Sequence, residues 1–489
     1  MKRRTVYLET MGCQMNVLDS ELVWGQLRAE GYESESDMTK ADVVLINTCS
    51  VRDHAEQKVL SRLGALAKPK FDRDDMVIGV IGCMAERDPD GIFEKMPHVD
   101  MVCGPGDLNK IPAMIEEVRE TRTRVVALSQ AFSRKSTQLQ RALEYDSIEA
   151  LDPSRGTGPL ESTLQSYIRV QRGCDKFCSY CIVPFTRGRE RSRPPTRIVD
   201  EAKMLAGRGV KEVTLVGQTV NSYVHEENGQ PVRFAGLLEL VNRVEGIERI
   251  RFVTSFPGDF TDDILEAMRD LDKVCEYLHI PVQSGSNNIL KRMRRQYTVE
   301  EYDALLARAR EIVPGLTLAS DFIVGFCGET QEDHEASCRL IERSRFKNIF
   351  VFKYSPRPGT AADRRLQSDV PDEIMRQRNV ELLELQEAIS LKTNRELVGD
   401  VVEVLVEGYS KAAAKAREAG WYRDDAADWR SRSQLVGRTR GYNIVVFPGD
   451  EGDIGRLARV RITSATALTL HGSLVDGRDK RPTSPGDGS

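Results

Sequence analysis

Three cysteines stand close together in the middle of the chain, in the run Gly173-Cys174-Asp175-Lys176-Phe177-Cys178-Ser179-Tyr180-Cys181. The run follows the apolar segment 167–171, so a loop at the end of a strand would bring the three thiols together. Three thiolates on one loop can hold three irons of a [4Fe–4S] cluster and leave the fourth iron open to a substrate. The alternative is a structural zinc site, which usually shows paired CxxC units, and the sequence has no second pair. The spacing therefore predicts an iron–sulfur cluster on this loop.

The chain contains 10 cysteines in all, and their meaning depends on the compartment. Charged residues and a strand-like run open the sequence, and no stretch reaches the roughly 18 apolar residues that span a bilayer. These features predict a cytoplasmic protein that does not enter a membrane. Thiols stay reduced in the cytosol, so clustered cysteines there favour metal or redox chemistry over disulfides.

Residues 1–125 alternate short apolar segments with helical patterns, which predicts an α/β domain built on an open sheet. The predicted strands are 5–8, 43–46 and 76–81, and the predicted helices are 20–30, 54–67 and 111–120. Cys13, Cys49 and Cys83 each follow one of these strands. Because functional side chains collect at the carboxyl ends of parallel strands, we expect the three thiols to lie at one edge of the sheet.

A polar segment, 126–165, is typical of a linker. The α/β alternation then resumes over residues 166–397, with six strands that predict a partial (β/α)6 barrel rather than a closed eight-stranded one. The predicted strands are 167–171, 213–216, 250–254, 277–280, 318–324 and 349–354, and the predicted helices include 198–207, 261–271, 298–312, 331–344 and 371–396.

Residues 398–475 change character, with short β-like runs bounded by Gly and Asp that predict a small antiparallel β-barrel. The runs are 401–406, 443–447, 457–462 and 467–471. An Ala-rich, charged segment, 411–433, interrupts them, and its role is not predicted. We expect the Gly-, Pro- and Ser-rich tail, 476–489, to be disordered.

A CxxxCxxC run on the first βα loop of a six-stranded α/β unit resembles the radical S-adenosylmethionine superfamily. The resemblance implies that the methionine end of S-adenosylmethionine chelates the open iron of the cluster held by Cys174, Cys178 and Cys181. Electron transfer would then cleave the sulfonium to a 5′-deoxyadenosyl radical, which takes hydrogen from the substrate. The protein's share of such chemistry is binding, orientation and exclusion of water.

Three N-terminal motifs narrow the resemblance, because they are similar to the N-terminal domain of methylthiotransferases. They are the runs 10–16, 47–52 and 82–85, one around each of the three cysteines. The resemblance implies that Cys13, Cys49 and Cys83 hold a second, auxiliary [4Fe–4S] cluster that carries sulfur. The alternative is three unrelated core cysteines, since Cys is often buried. That alternative does not explain why all three fall in Gly- or Asn-flanked turns at the same sheet edge.

Within that family, the motif GCQMN at residues 12–16 and the run 181–193 resemble the sequences of the branch that modifies N(6)-dimethylallyladenosine in tRNA. The resemblance implies methylthio transfer to carbon 2 of that adenine, with two molecules of S-adenosylmethionine used per turnover. An electron donor and a sulfur source, both unidentified, are also implied. Two alternatives stay open: the same chemistry on threonylcarbamoyladenosine in tRNA or on a ribosomal protein, and a non-catalytic RNA-binding protein with structural metal.

The resemblance also implies that polar groups at strand ends bind S-adenosylmethionine, and strand ends are where barrel enzymes place ligand contacts. The candidates are Gln218, Ser255, Gln283, Ser284 and Asp321. A Gln or Ser at a strand end is also a common cap or turn residue. Cys327 follows a later strand, and we predict that it is a free thiol.

Two sets of basic residues are candidates for RNA binding. The first follows the cluster loop, where alternating arginines on an extended segment would project to one side and could meet phosphates. The second lies in the C-terminal unit, which resembles a TRAM domain at 435–440 and 454–461 and has only 11 Lys and Arg against 10 Asp and Glu. The arginines of the first set are Arg187, Arg189, Arg191 and Arg193, and those of the second are Arg438, Arg440, Arg456 and Arg459. The run 291–295 is a further basic stretch, with a solvated helix face as its alternative reading.

Overall fold

The computed structural model of the chain describes residues 4–50, 53–129, 163–227, 229–418 and 434–475. Most of the predicted linker 126–165, the second part of the segment 411–433 and the predicted disordered tail lie outside the described residues. Within these ranges no helix is both long enough and apolar enough to cross a membrane.

The N-terminal unit is a six-stranded parallel sheet in the order β2-β1-β3-β4-β5-β6. Its strands are β1 Thr5–Met11, β2 Glu33–Ser34, β3 Val43–Thr48, β4 Val77–Gly82, β5 Met101–Cys103 and β6 Val125–Ala127. Its helices are α1 Gln14–Ala29, α2 Asp53–Asp72, α3 Cys83–Arg87, α4 Pro89–Lys95 and α5 Ile111–Thr121. Every residue of β3 and β4 is buried, as expected of central parallel strands covered on both faces.

Two separate apolar cores lie on the two faces of this sheet. One is filled from α1 and α5, by residues such as Leu22 and Ile115, and the other from α2 and α4, by residues such as Leu63 and Ile92. The predicted open α/β sheet is therefore confirmed. Helix α1 begins six residues earlier than predicted, directly after Cys13, so that this cysteine is its N-cap.

The central unit has six parallel strands, which form two three-stranded sheets in the orders β13-β10-β7 and β14-β15-β16. These strands are β7 Gln165–Arg169, β10 Glu212–Val216, β13 Arg249–Phe252, β14 Tyr277–His279, β15 Thr317–Val324 and β16 Asn348–Lys353. The backbones are linked across the break by a bridge between Ile250 and Val274 and by a hydrogen bond of 3.2 Å from the Ser255 amide to the His279 carbonyl. One continuous apolar core spans both sheets, so the predicted partial barrel is confirmed.

The remaining elements of this unit are short strands and the helices that connect the barrel strands. The short strands are β8 Gln171–Arg172, β9 Arg191–Ser192, β11 Val224–Glu227 and β12 Gln230–Arg233. The helices are α6 Val183–Thr186, α7 Pro195–Ala206, α8 Phe234–Asn242, α9 Asp262–Asp270, α10 Asn287–Arg292, α11 Val299–Ile312, α12 Gln331–Ser344, α13 Ala361–Arg365 and α14 Asp372–Glu396. Helix α14 buries Leu382 in the barrel core, as its apolar spacing predicts.

The C-terminal unit is a closed barrel in the order β17-β18-β19-β21-β20, and a helix, α15 Lys411–Glu418, follows its first strand. The strands are β17 Val401–Tyr409, β18 Gln434–Thr439, β19 Ile444–Pro448, β20 Leu457–Ala465 and β21 Thr469–Leu474. The predicted barrel is thus present, but β19 and β21 pair in parallel, so it is not wholly antiparallel. Strand β18 was not predicted, because Leu435 is the only large apolar residue among its three buried positions, Leu435, Gly437 and Thr439.

Two arginines on strand β13 of the central unit attach the C-terminal barrel to that unit. Arg249 and Arg251 of β13 are fully buried, and Arg251 donates to the backbone oxygens of Thr439 and Arg440 at 2.7 and 2.6 Å. The ring of Tyr442 stacks on Tyr277, with 4.7 Å between the ring centroids. Buried guanidinium groups that donate to backbone carbonyls fix the orientation of one unit against the other.

Candidate active site

A cavity of about 340 Å³ lies between the N-terminal sheet and the open barrel, and all six predicted cysteine ligands line it. The two groups are the N-terminal triad, Cys13, Cys49 and Cys83, and the loop triad, Cys174, Cys178 and Cys181. The cavity also receives the carboxyl ends of several barrel strands, through residues such as Val216 and Ile323. Two sets of thiols that lie far apart in the sequence therefore face one cavity.

The N-terminal triad sits at the carboxyl ends of three neighbouring strands. Cys13 follows β1, Cys49 follows β3, and Cys83 follows β4 as the first residue of α3. Because β1, β3 and β4 are adjacent and parallel, their ends meet at one edge of the sheet.

Buried amides under this triad hold the turns in place. Asn16 accepts hydrogen bonds from the backbone nitrogen and the thiol of Cys13, both at 3.3 Å, and donates to Asn47 at 3.0 Å. The amide of Asn47 in turn donates to the backbone oxygen of Asn16 at 2.8 Å and to Ser20 at 2.9 Å. Gly82 has φ +97°, and a Cβ there would lie 2.4 Å from the Asn47 side chain. The Asn residues of the sequence motifs are therefore buried supports of the turns that carry the thiols.

An arginine from the loop that follows the other triad reaches into the N-terminal triad. Arg187 is 3% exposed, its Nε donates to the Cys83 sulfur at 3.2 Å, and its Nη2 donates to Asp19 at 2.7 Å. A hydrogen bond with the Cys49 thiol and the charge of Arg187 lower the pKa of Cys13 to about 6, whereas burial raises the pKa of Cys83. Arg187 thus joins the two units at a thiol.

The loop triad is held by a close return of the chain. Gly173 has φ +77°, and a Cβ there would lie 2.0 Å from the backbone oxygen of Arg189. Only glycine allows this approach, and the Gly173 amide donates to the side chain of Gln218 at 2.5 Å. Arg295, which is 8% exposed, donates to the Cys178 sulfur at 3.5 Å and to the Pro281 carbonyl at 2.8 Å. Each triad therefore has one buried arginine directed at a cysteine sulfur.

The chemistry of the thiols fits an iron–sulfur cluster at each triad. Burial raises the pKa of Cys174 to about 11 and that of Cys181 to about 12. A buried thiolate is stable only beside positive charge, which iron and the two arginines would supply.

Four of the five residues predicted to bind S-adenosylmethionine line the cavity; they are Gln218, Ser255, Gln283 and Asp321. The Ser255 hydroxyl is 2% exposed and has no hydrogen-bond partner among the described residues. Such a buried, unpaired hydroxyl fits a bound polar ligand. Ser284 is not among the residues that line the cavity; its hydroxyl accepts a hydrogen bond from the Ser286 amide at 3.2 Å within a turn, and its contact with S-adenosylmethionine stays a prediction.

The site contains functional candidates that the sequence did not reveal: His279 and Arg295 line the cavity, and Asp19 pairs with the cavity residue Arg187. His279 lies at the end of β14, and its Nε2 is 3.0 Å from Asp321 Oδ1. Arg295 belongs to the basic run 291–295, for which the sequence predicts either a solvated helix face or an RNA contact. Arg295 is buried, so neither prediction holds for this residue. Asp19 has no sequence signal, since it is a single acidic residue within the pattern of α1.

The alternating arginines after the cluster loop do not project together to solvent. Arg187 and Arg193 are buried, and each forms an ion pair, with Asp19 and with Glu201 at 2.7 Å. The prediction that these two contact RNA is therefore wrong. Arg189 is exposed and Arg191 is half-buried, so these two positions keep the prediction open.

The predicted stripe on the C-terminal barrel divides in the same way. Arg440 pairs with Glu276 and donates to backbone oxygens of the central unit, including that of Val274 at 2.6 Å. Arg438 pairs with Glu407. These two arginines serve packing between and within units, which contradicts their assignment to RNA. Arg456 and Arg459 are exposed on the barrel and remain candidates.

Sequence models of known families match three parts of the chain. The model described as uncharacterized protein family UPF0004 matches residues 5–104. That of the radical SAM superfamily matches residues 168–341, and that of the TRAM domain matches residues 426–475. The three matches follow the three structural units in order.

Curated relatives match the chain over nearly its whole length. A tRNA-2-methylthio-N(6)-dimethylallyladenosine synthase of Rhodopirellula baltica is 46% identical over 470 residues, which is 96% of this chain and 95% of the relative. The protein of the same name from Moorella thermoacetica is 44% identical, covering 97% of this chain and 99% of the relative.

Among solved structures, a radical S-adenosylmethionine methyltransferase from Kitasatospora setae, with cobalamin and a [4Fe-4S] cluster bound, has a similar fold. It is superimposed with a TM-score of 0.50 at 15% identity, covering 74% of this chain and 77% of that chain. This likeness concerns the fold alone.

Proposed function

The chain belongs to the family of tRNA-2-methylthio-N(6)-dimethylallyladenosine synthases, and we propose that the cavity between its N-terminal sheet and its barrel is where it carries out their reaction. It is a radical S-adenosylmethionine transferase that adds a methylthio group to N(6)-dimethylallyladenosine of tRNA. The observation that carries the assignment of the site is that all six cysteines line this one cavity. The relatives carry the dimethylallyladenosine name at identities from 39 to 46%, which does not favour the alternative substrates.

Two [4Fe–4S] clusters, one at each triad, would supply the electron that cleaves S-adenosylmethionine and the site that carries the sulfur. The chain's own residues hold these groups and exclude water from the space between them. Arg187 and Arg295 each direct a guanidinium at a cysteine sulfur. Hydrogen bonds to such sulfurs and burial are the means by which a protein sets cluster potentials.

Four cavity residues are proposed to bind S-adenosylmethionine: Gln218, Ser255, Gln283 and Asp321. Asp321 lies within β15 beside His279, the last residue of β14, and can accept a hydrogen bond, while Ser255 offers the unpaired hydroxyl. Gln218 also bonds to the loop that carries Cys174, so it links the position of that thiol to the contents of the pocket. Two molecules of S-adenosylmethionine are used per turnover, one as methyl donor and one as radical source.

The tRNA is proposed to approach the mouth of the cavity across exposed arginines of two units. Arg189 follows the cluster loop, and Arg456 and Arg459 lie on the C-terminal barrel. Because Arg251 and Arg440 fix that barrel to the central unit, the basic residues of the two units keep a fixed position relative to each other. A tRNA substrate also supports the proposal of a cytoplasmic location, with an electron donor and a sulfur source drawn from the same compartment.

The function is tested with two single variants and tRNA that carries N(6)-dimethylallyladenosine. Cys174→Ala is expected to abolish cleavage of S-adenosylmethionine. Cys49→Ala is expected to leave cleavage measurable and to stop formation of the 2-methylthio nucleoside, which mass spectrometry of digested tRNA detects. Loss of both activities in Cys49→Ala, with the loop cluster intact by iron content, would contradict the division of labour between the triads. Persistence of the 2-methylthio nucleoside in a deletion strain would show that the substrate is another.

A further inference from the structure

A second, smaller cavity of about 160 Å³ lies on the outward side of the loop that carries Cys174, Cys178 and Cys181. Cys178 and Cys181 line this outer cavity as well as the large inner one. The loop is therefore a thin wall, with the substrate cavity on one side and the outer cavity on the other. Any group held by these thiols would lie close to the surface at this point.

Three segments form the outer cavity, and Ser179 joins them. The Ser179 amide donates to the Met293 carbonyl at 2.9 Å, and its hydroxyl donates to the Arg292 carbonyl at 2.8 Å. The Ser179 carbonyl accepts from the Ala362 amide of α13 at 2.7 Å. Ser179 itself is 3% exposed. Hydrogen bonds of Ser179 therefore hold together the three segments that form the surface, which are the cysteine loop, the end of α10, and α13.

The centre of this surface is aromatic and exposed. Phe177 is 47% exposed and Phe185 is 41% exposed, although both belong to the segment that holds the cluster. Phe177 also has φ +49°, a left-handed backbone that costs a residue with a side chain about 1 kcal/mol or more. Phe177 and Phe185 line the same outer cavity, and exposed apolar patches of this kind mark sites of contact with other molecules.

The rim of the surface is cationic. Arg294, Arg364 and Arg365 line the outer cavity and are exposed, and none of the three side chains has an ion pair among the described residues. No acidic side chain lines the cavity. Asp363, which directly precedes Arg364 and Arg365 on α13, accepts a hydrogen bond from the Gly359 amide at 3.0 Å. In a chain with a net charge of −5, this is a local positive patch around an apolar centre.

We propose that this outer surface, defined by Phe177, Phe185, Arg294, Arg364 and Arg365, is the docking site for an acidic one-electron carrier protein. An apolar centre with a charged rim is the usual anatomy of a protein–protein interface, and aromatic residues and Arg are enriched among those that carry binding energy. Complementary charge speeds the encounter of such partners. The position above Cys178 and Cys181 gives a docked carrier a short path to the loop triad.

The inference rests on the proposed function, since that function requires one electron at the loop triad for each S-adenosylmethionine cleaved reductively. In the transfer the reduced carrier loses one electron and the centre held by Cys174, Cys178 and Cys181 gains it. No proton or other group moves between the proteins. The carrier leaves in its one-electron-oxidised form, and the substrate side of the loop is undisturbed.

The test compares two double charge reversals in the full-length, cluster-loaded enzyme. Arg364→Glu with Arg365→Glu changes the rim. Arg28→Glu with Arg208→Glu is the matched control, since both arginines are exposed, have no ion pair among the described residues and line neither cavity. A recombinant acidic flavodoxin is the probe. Its binding is followed by fluorescence anisotropy at several salt concentrations, and 5′-deoxyadenosine is measured with reduced flavodoxin or with dithionite as reductant.

The rim variant is expected to weaken flavodoxin binding about tenfold or more and to flatten its salt dependence. Its flavodoxin-driven formation of 5′-deoxyadenosine should fall to a similar degree, while dithionite-driven formation stays within about twofold of wild type. Unchanged flavodoxin binding overturns the docking proposal alone, and weakened tRNA binding with unchanged flavodoxin binding assigns the patch to RNA instead. Wild-type enzyme that forms no 5′-deoxyadenosine even with dithionite would overturn the proposed function itself.

Discussion

Replacement of Arg187 by methionine should weaken the contact between the N-terminal and central units, because Arg187 bonds to Cys83 and to Asp19. The Arg187 guanidinium and the Asp19 carboxylate are both nearly fully buried, and they lie 2.7 Å apart. Removal of one partner of a buried pair leaves the other charge without compensation, which costs about 3–5 kcal/mol. That loss is a large part of the roughly 5–15 kcal/mol that stabilises a typical domain. The hydrogen bond to the Cys83 sulfur is lost as well.

The chain offers a matched control for this change. Arg193 is equally buried and forms an ion pair with Glu201 at 2.7 Å, but its side chain bonds to the backbone of the barrel strand β7 rather than to a thiol. Arg193→Met should therefore cost a similar amount of stability without any effect on the N-terminal triad. A double variant, Arg187→Met with Asp19→Asn, should recover part of the lost stability, since no buried charge is then left alone.

The assay combines anaerobic urea unfolding with iron analysis and redox titration of the reconstituted enzyme. Arg187→Met is expected to unfold at lower urea and to lower the reduction potential of the auxiliary centre, because a hydrogen bond to a ligand sulfur favours the more negative, reduced state. Arg193→Met is expected to show the first effect only. If Arg187→Met has wild-type stability and an unchanged potential, the buried contact does not act as described.

Three further changes test other parts of the structure. Gly82→Ala should cost about 1–3 kcal/mol and lower the iron content of the N-terminal triad, because φ is +97° and the new Cβ would lie 2.4 Å from the Asn47 side chain; wild-type iron content would contradict this. Burial beside Arg438 lowers the pKa of Lys347 to about 8, so from about pH 8 to 10 the unfolded state binds the extra proton and this residue's contribution to stability rises with pH. Lys347→Met should therefore raise the unfolding temperature at pH 7, and the gain over wild type should shrink toward pH 10; a constant gain across this range would refute the argument. Arg456→Glu with Arg459→Glu should weaken tRNA binding and reduce the slope of log affinity against log salt by about one unit per residue, and an unchanged slope would remove both from the interface.

The three-part architecture and the six cysteines could be predicted from the sequence, because the signals that define them are local. Strand and helix periods act over a few residues, and Cys13, Cys49 and Cys83 each follow a strand by one or two positions. Once the sheet is known to be parallel, the meeting of these thiols at one edge follows from topology.

The partners of buried charges could not be predicted in the same way. Asp19 meets Arg187 across 168 positions of sequence, and Arg251 meets the carbonyl of Arg440 across 189. Every second residue of an extended segment points to the same side, so the spacing of the arginines predicts that their side chains share one face. Packing decides whether that face meets solvent, and Arg193 is buried. The environment of Ser284 could not be predicted either, because a residue near the end of a strand can enter a pocket or, as Ser284 does, form hydrogen bonds within a turn.

We expect each of the two cysteine triads to hold its own cluster at the walls of one cavity. Iron and sulfide analysis after anaerobic reconstitution tests it most directly, on wild type and on two variants in which one triad or the other is replaced by alanine. We expect about eight irons per chain for wild type and about four for each variant. A wild-type value of about four, or a variant that loses all iron when only the N-terminal triad is removed, would show that the two triads do not hold separate clusters.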